Sequence, residues 1–209
     1  MKKIDDENSK QRILNAAVKL FAQNGYDATS IRQICKEAGA NICMISYFFG
    51  GKKELYNGII EDLQIRQTEY AKTFIDFNCN PETLDKKSQI DLLMNIMDKF
   101  IAFFYSENIS KDLIVFLLKA QMNEDFVINT PTYLYLRKLV GTIFNLAEND
   151  RETIFKTLFI ISQVNSPRIM RGFSLSLLGQ DDFVQEDIKI IKANVKLYIN
   201  ALIKEAGIV

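Results

Sequence analysis

The stretch Ala28–Leu55, ATSIRQICKEAGANICMISYFFGGKKEL, spells two short helices joined at a glycine. Thr29 or Ser30 can cap the first, because a side-chain hydroxyl accepts from an otherwise unpaired first-turn amide. Behind that cap Ile31, Ile34, Cys35 and Ala38 recur three and four apart, which places them on one buriable face. Gly39 ends the helix, since a residue without Cβ enters positive φ at little cost. Asn41 can cap the second helix, where Ile45 and Phe49 turn inward at i, i+4. Asn41, Ile42, Cys43, Met44, Ser46, Tyr47 and Phe48 are left on or near the outside. Two helices crossing at a tight turn form a helix-turn-helix, the arrangement that places its second helix in the major groove of DNA.

Upstream, Gln11 to Asn24 repeats Ile13, Leu14, Ala17, Leu20 and Phe21 with helical spacing, and Asn24-Gly25 closes it. Downstream of Gly50-Gly51 a long helix is expected from Lys52 to about Phe77. Turn-forming Asn78 to Pro81 follows, then helices from Lys87 to Tyr105, Ser110 to Asn123, Pro131 to Leu146 and Asp150 to Val164. Pro167 and Gly172 disturb what comes next. Asp181 or Asp182 caps a final helix reaching about Lys204. The expected fold is all-α with about nine helices, divided into residues 1–52 and 53–209.

Nine glycines and three prolines in 209 residues suit a helical chain. The cysteines Cys35, Cys43 and Cys79 are odd in number and form no CxxC pair, so neither a disulfide framework nor a metal site is expected. Histidine is absent, which removes the usual general base and weighs against an enzyme. No cofactor is implied. The start, MKKIDDENSK, lacks a signal-peptide core, and the longest apolar run, Leu113 to Leu118, is too short to span a bilayer. A cytoplasmic protein with no membrane association is the expectation. Net charge is zero, yet Met1–Lys53 holds nine basic and five acidic residues, a net +4, and the remainder a net −4. The basic end is the one that can release counterions from phosphate.

The segments ILNAAVKLFAQNGYDATSIRQICKEAG and ISYFFGGKKELY resemble the TetR family of transcriptional regulators over Gln11 to Tyr56, and GANICMISYFFGGKKELY is most similar to its CecR-like branch. That resemblance implies a homodimer bound to a palindromic double-stranded operator. It also implies a C-terminal domain that takes a small-molecule effector, and release from DNA, hence repression. Lys52 matches the family lysine that holds a phosphate at the start of the fourth helix, where the helix dipole adds to the attraction. Tyr47 matches an aromatic that packs on the DNA backbone, or else it closes the small core. Arg32 points from the outer face of the second helix toward phosphate or a base edge. Thr29, Ser30, Asn41 and Ser46 complete the polar candidates for DNA contact.

Two departures stand out. Phe48 occupies a position where the family often has histidine, and the recognition helix carries no lysine or arginine. Ile42, Cys43 and Met44 are then left to read thymine methyl groups. Cys43, exposed, is open to oxidation, although only the helix N-terminus nearby would favour its thiolate.

For the effector cavity the candidate lining is Phe100, Phe103, Phe104, Phe116, Met122, Tyr133 and Phe144, with Arg168 for an anionic group. For the dimer interface the candidates are Ile154, Leu158 and Ile161 with Ile188, Ile191, Val195, Tyr198 and Leu202 of the final helix; intrachain core is the alternative. A DNA-binding protein of the same fold acting through a protein partner is the second functional reading.

Overall fold

The computed structural model describes residues 2–106, 109–122 and 130–208, and for residues 2–7 the backbone alone. In chain order the helices are α1 (Lys2–Asn24), α2 (Ile31–Ala38), α3 (Ile42–Phe48), α4 (Lys52–Ala71), α5 (Lys86–Phe104), α6 (Lys111–Gln121), α7 (Pro131–Phe144), α8 (Arg151–Ile169), α9 (Arg171–Leu178) and α10 (Gln185–Glu205). A 3-10 turn at Pro81–Thr83 precedes α5, and no strand occurs among the described residues. The expected all-α architecture holds, with ten helices among the described residues in place of nine. No helix among the described residues is long and apolar enough to cross a membrane.

Most helix starts follow side-chain caps, but α10 opens after Val184, whose amide donates to Asp187 at 2.8 Å, and not on the expected Asp181 or Asp182. Asp85, Ser110, Thr130 and Asp150 each accept a first-turn amide, and Pro131 occupies the first position of α7, where its missing N–H costs nothing. α1 begins nine residues before the expected Gln11, because its charged opening contains no breaker. α4 ends at Ala71 and not at Phe77. There Thr73 donates its hydroxyl to the Tyr70 carbonyl at 2.7 Å, a local bond that competes with helix continuation. α8 does not stop at Val164 but runs through Pro167 to Ile169, since buried Val164 and Arg168 hold its last turn inward. Met170 (φ −96°, ψ 33°) then separates it from α9. The end of α6 expected at Asn123 lies outside the described residues.

Two compact units result. The first comprises residues 1–66 and 110–127, the second 67–109 and 128–209. The boundary expected after residue 52 is therefore not where contacts divide the chain: the cut falls inside α4, and α6 sits with the first unit. The reason is visible in the first unit's core. Phe116 of α6 is fully buried, with its ring 6.1 Å from Phe21 and 4.9 Å from Tyr56, and Lys119 donates to the Ala22 carbonyl at 2.6 Å.

The second unit buries Leu93, Ile96, Met97 and Ile101 of α5 against Leu136, Leu139, Val140 and Ile143 of α7, with Ile160 and Val164 of α8 and Val195 and Ile199 of α10. Here the expected dimer stripe changes. Ile191 and Val195 are core residues, and Ile161, Ile188, Tyr198 and Leu202 pack against that core. Ile154 is half-buried, so of the eight expected residues Leu158 alone is exposed. The large apolar groups this unit leaves exposed on α8 and α10 are Phe155, Leu158, Phe159, Ile169, Ile190 and Leu197. Helical periodicity found the stripe but not its partner, because α10 carries apolar residues on two faces.

Candidate nucleic-acid interface

The turn between α2 and α3 is held from both sides. Ser30 forms a capping box with Gln33: its hydroxyl accepts the Gln33 amide at 3.2 Å, and Gln33 Oε1 accepts the Ser30 amide at 2.7 Å. Gly39 closes α2 at φ +59°, and its amide and the next one return to the last turn of the helix. Asn41 then caps α3, its Oδ1 accepting the Cys43 amide at 3.0 Å. Ile34 and Ile45 are completely buried, which fixes the two helices against α1.

Gly39 gives a direct test of that turn. A Cβ there would meet nothing within 4 Å, so Gly39→Ala costs backbone strain alone, about 1–2 kcal/mol. Gly172, equally unobstructed but in the ordinary helical region of α9, is expected to gain about 0.5–1 kcal/mol as alanine. Urea denaturation of the two variants should therefore move in opposite directions.

Most of the expected contact residues reach the surface. Arg32, Ser30, Asn41, Ile42, Cys43, Ser46 and Tyr47 are exposed, Tyr47 at 76%, while Met44, Phe48 and Lys52 are half-buried. Thr29 is the exception. It is 1% exposed, and its hydroxyl donates inward to the Gly25 and Leu20 carbonyls at 2.7 and 3.2 Å, so it secures the entrance to α2 and is not a surface group. Ser30 and Asn41 already spend an acceptor on their caps. Phe48 lies between Tyr47 and Phe49, with ring centroids 5.0 and 6.3 Å away, an aromatic row that leads from α3 to α4.

Lys52 opens α4 after Gly50 (φ +92°), and its ammonium stands 4.2 Å over the Tyr26 ring. Arg32, Lys36, Lys52 and Lys53 form no ion pair among the described residues. In the chain they flank α3, which itself has no charge. Sequence reading missed Lys10, whose ammonium sits 5.8 Å over the Phe49 ring beside this same surface. Its signal was hidden because the first helix was expected to begin one residue later. Cys35 is buried, and that burial raises its thiol pKa, so it is the inert member of the pair with exposed Cys43.

The expected effector lining does not converge. Phe116 belongs to the first unit, as does Met122, which is exposed. Phe100 and Phe144 are core of the second unit, while Phe103, Phe104 and Tyr133 are half-buried there. Arg168 is only 9% exposed. One of its nitrogens donates to the Ile109 carbonyl at 3.0 Å, its guanidinium lies 5.2 Å from the Tyr105 ring, and Nε and Nη1 have no partner among the described residues. Burial lowers the Arg168 pKa and raises that of Tyr105. Neighbouring Arg171 is instead paired with Asp182 at 2.7 Å.

Comparison with known proteins places these features. Residues 13–59 match the family described as bacterial regulatory proteins, tetR family, and residues 90–206 match the C-terminal domain of the HTH-type transcriptional dual regulator CecR. The CecR regulator of Shigella flexneri is 23% identical over 96% of this chain and 94% of its own length. The Pseudomonas putida repressor NicS is 30% identical over 51% of each chain. Among solved structures, a TetR-like regulator from Rhodococcus sp. RHA1 superposes with a TM-score of 0.57 at 16% identity, covering 91% of this chain and 93% of the other. A TetR regulator from Haloarcula marismortui gives 0.56 at 16% identity over 93% and 98%. At such identities these two show the fold. With a helix-turn-helix of this geometry and a matching domain over more than half its length, the chain belongs to the TetR family of DNA-binding transcriptional regulators, in the group with a CecR-type C-terminal domain.

Proposed function

We propose that the protein is a homodimeric repressor that binds a palindromic operator through α3 and is released by a small-molecule effector held in the second unit. The observation that carries this reading is the uncharged, exposed surface of α3, flanked in the chain by basic side chains that form no ion pair among the described residues, which separates affinity from readout. Arg32, Lys52 and Lys53 supply the phosphate term, and Ser46, Asn41 and Tyr47 supply neutral hydrogen bonds and packing along the backbone. Ile42, Cys43 and Met44 offer apolar surface to thymine methyl groups. Dimer symmetry requires half-sites about one helical turn, roughly 34 to 36 Å, apart or a multiple of it. Footprinting on the bound promoter checks this, and a protected region without dyad symmetry overturns it.

The readout has its own test. Met44→Ala is expected to relax preference for A·T pairs at one position of each half-site while leaving the salt dependence of binding unchanged. A selection on randomised operators in which every position keeps its preference removes Met44 from the readout. In the second unit, the two donor nitrogens of Arg168 without a partner among the described residues support an effector with an acidic group, with Phe103 and Phe104, just before Tyr105 in the chain, as apolar surface. The dimer contact is assigned to Phe155, Leu158, Phe159, Ile190 and Leu197, five of the large apolar residues exposed on α8 and α10.

A further inference from the structure

The first unit contains a cleft that shares only Lys53 with the proposed DNA contacts. Its volume is about 690 Å³, within the range of small-molecule sites, and α1, α4 and α6 wall it. One wall is a run of rings. Tyr56 stands edge-on to Tyr26 at 5.1 Å, to Phe21 at 5.4 Å and to Phe116 at 4.9 Å. Partly buried Tyr56 has its phenol pKa raised by that burial, so the wall stays neutral.

The rim is charged. Lys53 and Lys119 stand on it with Asp27 as the one carboxylate, leaving an excess of positive charge. The Lys119 ammonium is positioned by the Ala22 carbonyl at 2.6 Å, which leaves two of its three N–H donors without a partner among the described residues. Neither Lys53 nor Asp27 forms an ion pair among the described residues. An aromatic wall that exposes half-buried Tyr56 and Tyr26 beside two ammonium groups fits an aromatic acid: the ring packs on Tyr56 and Tyr26, and the carboxylate meets Lys53 and Lys119.

We infer that this cleft is a second small-molecule site, in the DNA-reading unit itself, for a planar aromatic carboxylate. It is separate from the effector site proposed in the second unit and does not depend on it. Occupancy engages Lys53, next to the proposed phosphate anchor Lys52, so the acid and DNA draw on the same charge.

The test uses 2-naphthoate and its neutral counterpart 2-naphthylmethanol on the full chain. The protein contains no tryptophan, so naphthyl fluorescence is read without that background. The expected result is that 2-naphthoate binds more tightly than the alcohol. Lys53→Gln and Lys119→Gln should each weaken it about threefold, and the two together about tenfold, as solvent-accessible ion pairs do. Lys119→Glu should weaken it further while leaving the alcohol unaffected, which separates lost charge complementarity from misfolding. Equal binding of acid and alcohol, or naphthoate binding unchanged in the double variant, places the ligand elsewhere and overturns the inference. Absence of any naphthoate binding overturns it as well.

Discussion

A Phe159→Asp chain is expected to run as a monomer in sedimentation and to lose operator binding by about two to four orders of magnitude, with its helix content intact. Phe159 is 54% exposed on α8, its ring 6.3 Å from that of Phe155, and Leu197 on α10 is 67% exposed. In a single chain the substitution therefore puts a carboxylate into water and costs little. In a two-fold interface the same residue occurs twice, so two carboxylates are desolvated together and oppose each other. DNA binding falls because two linked half-site contacts become independent ones, and the lost effective concentration accounts for the magnitude. Val195→Asp makes the contrast, since Val195 lies in the core and its substitution should unfold the second unit. A Phe159→Asp chain that remains dimeric and binds its operator normally would move the interface to another surface.

The second large effect belongs to Lys52. Lys52→Gln should weaken operator binding by about tenfold to a hundredfold near physiological salt and leave base preference untouched. Each neutralised phosphate contributes about 0.9 to the slope of log K against log salt, so loss of one contact per protomer lowers the slope by about 1.8 for a dimer. The Lys52 ammonium rests over Tyr26 at 4.2 Å, which places the charge at the opening of α4 before DNA arrives. Affinity measured over a range of salt decides it: a parallel line displaced downward would mean that Lys52 acts by packing and not by charge.

Local chemistry in the sequence foretold local structure well. Ser30, Gly39, Asn41, Pro131 and Asp150 each do what their side chains or backbone freedom allow, and Ile34 and Ile45 are buried as their spacing implies. Partners distant in the chain were not legible. The spacing of Phe116 says that it is buried but not that its neighbours are Phe21 and Tyr56, and so it was assigned to the wrong unit. The same limit governs α10. Both Ile188–Ile191–Val195 and Ile190–Leu197 are helical stripes, and only the packing of α5 and α8 decides which is covered. Thr29 shows a finer version: a hydroxyl at a helix entrance reads as a surface donor until the carbonyls of Leu20 and Gly25 are placed beneath it.

The placement of α6 with the N-terminal helices bears on how the chain is made. Lys119 and Ala22 are 97 positions apart, yet their bond belongs to the same compact unit. On the ribosome the first 66 residues emerge without the helix that covers Phe21, so the DNA-reading unit waits for α4, α5 and α6 to be synthesised before it can close. Contacts across so long a loop are entropically costly and slow to form. Until they do, Phe21 and Tyr56 lack the Phe116 ring that packs against them. Completion of the reading head is thereby tied to synthesis of the middle of the chain, and a product cut short before α6 is denied a finished head.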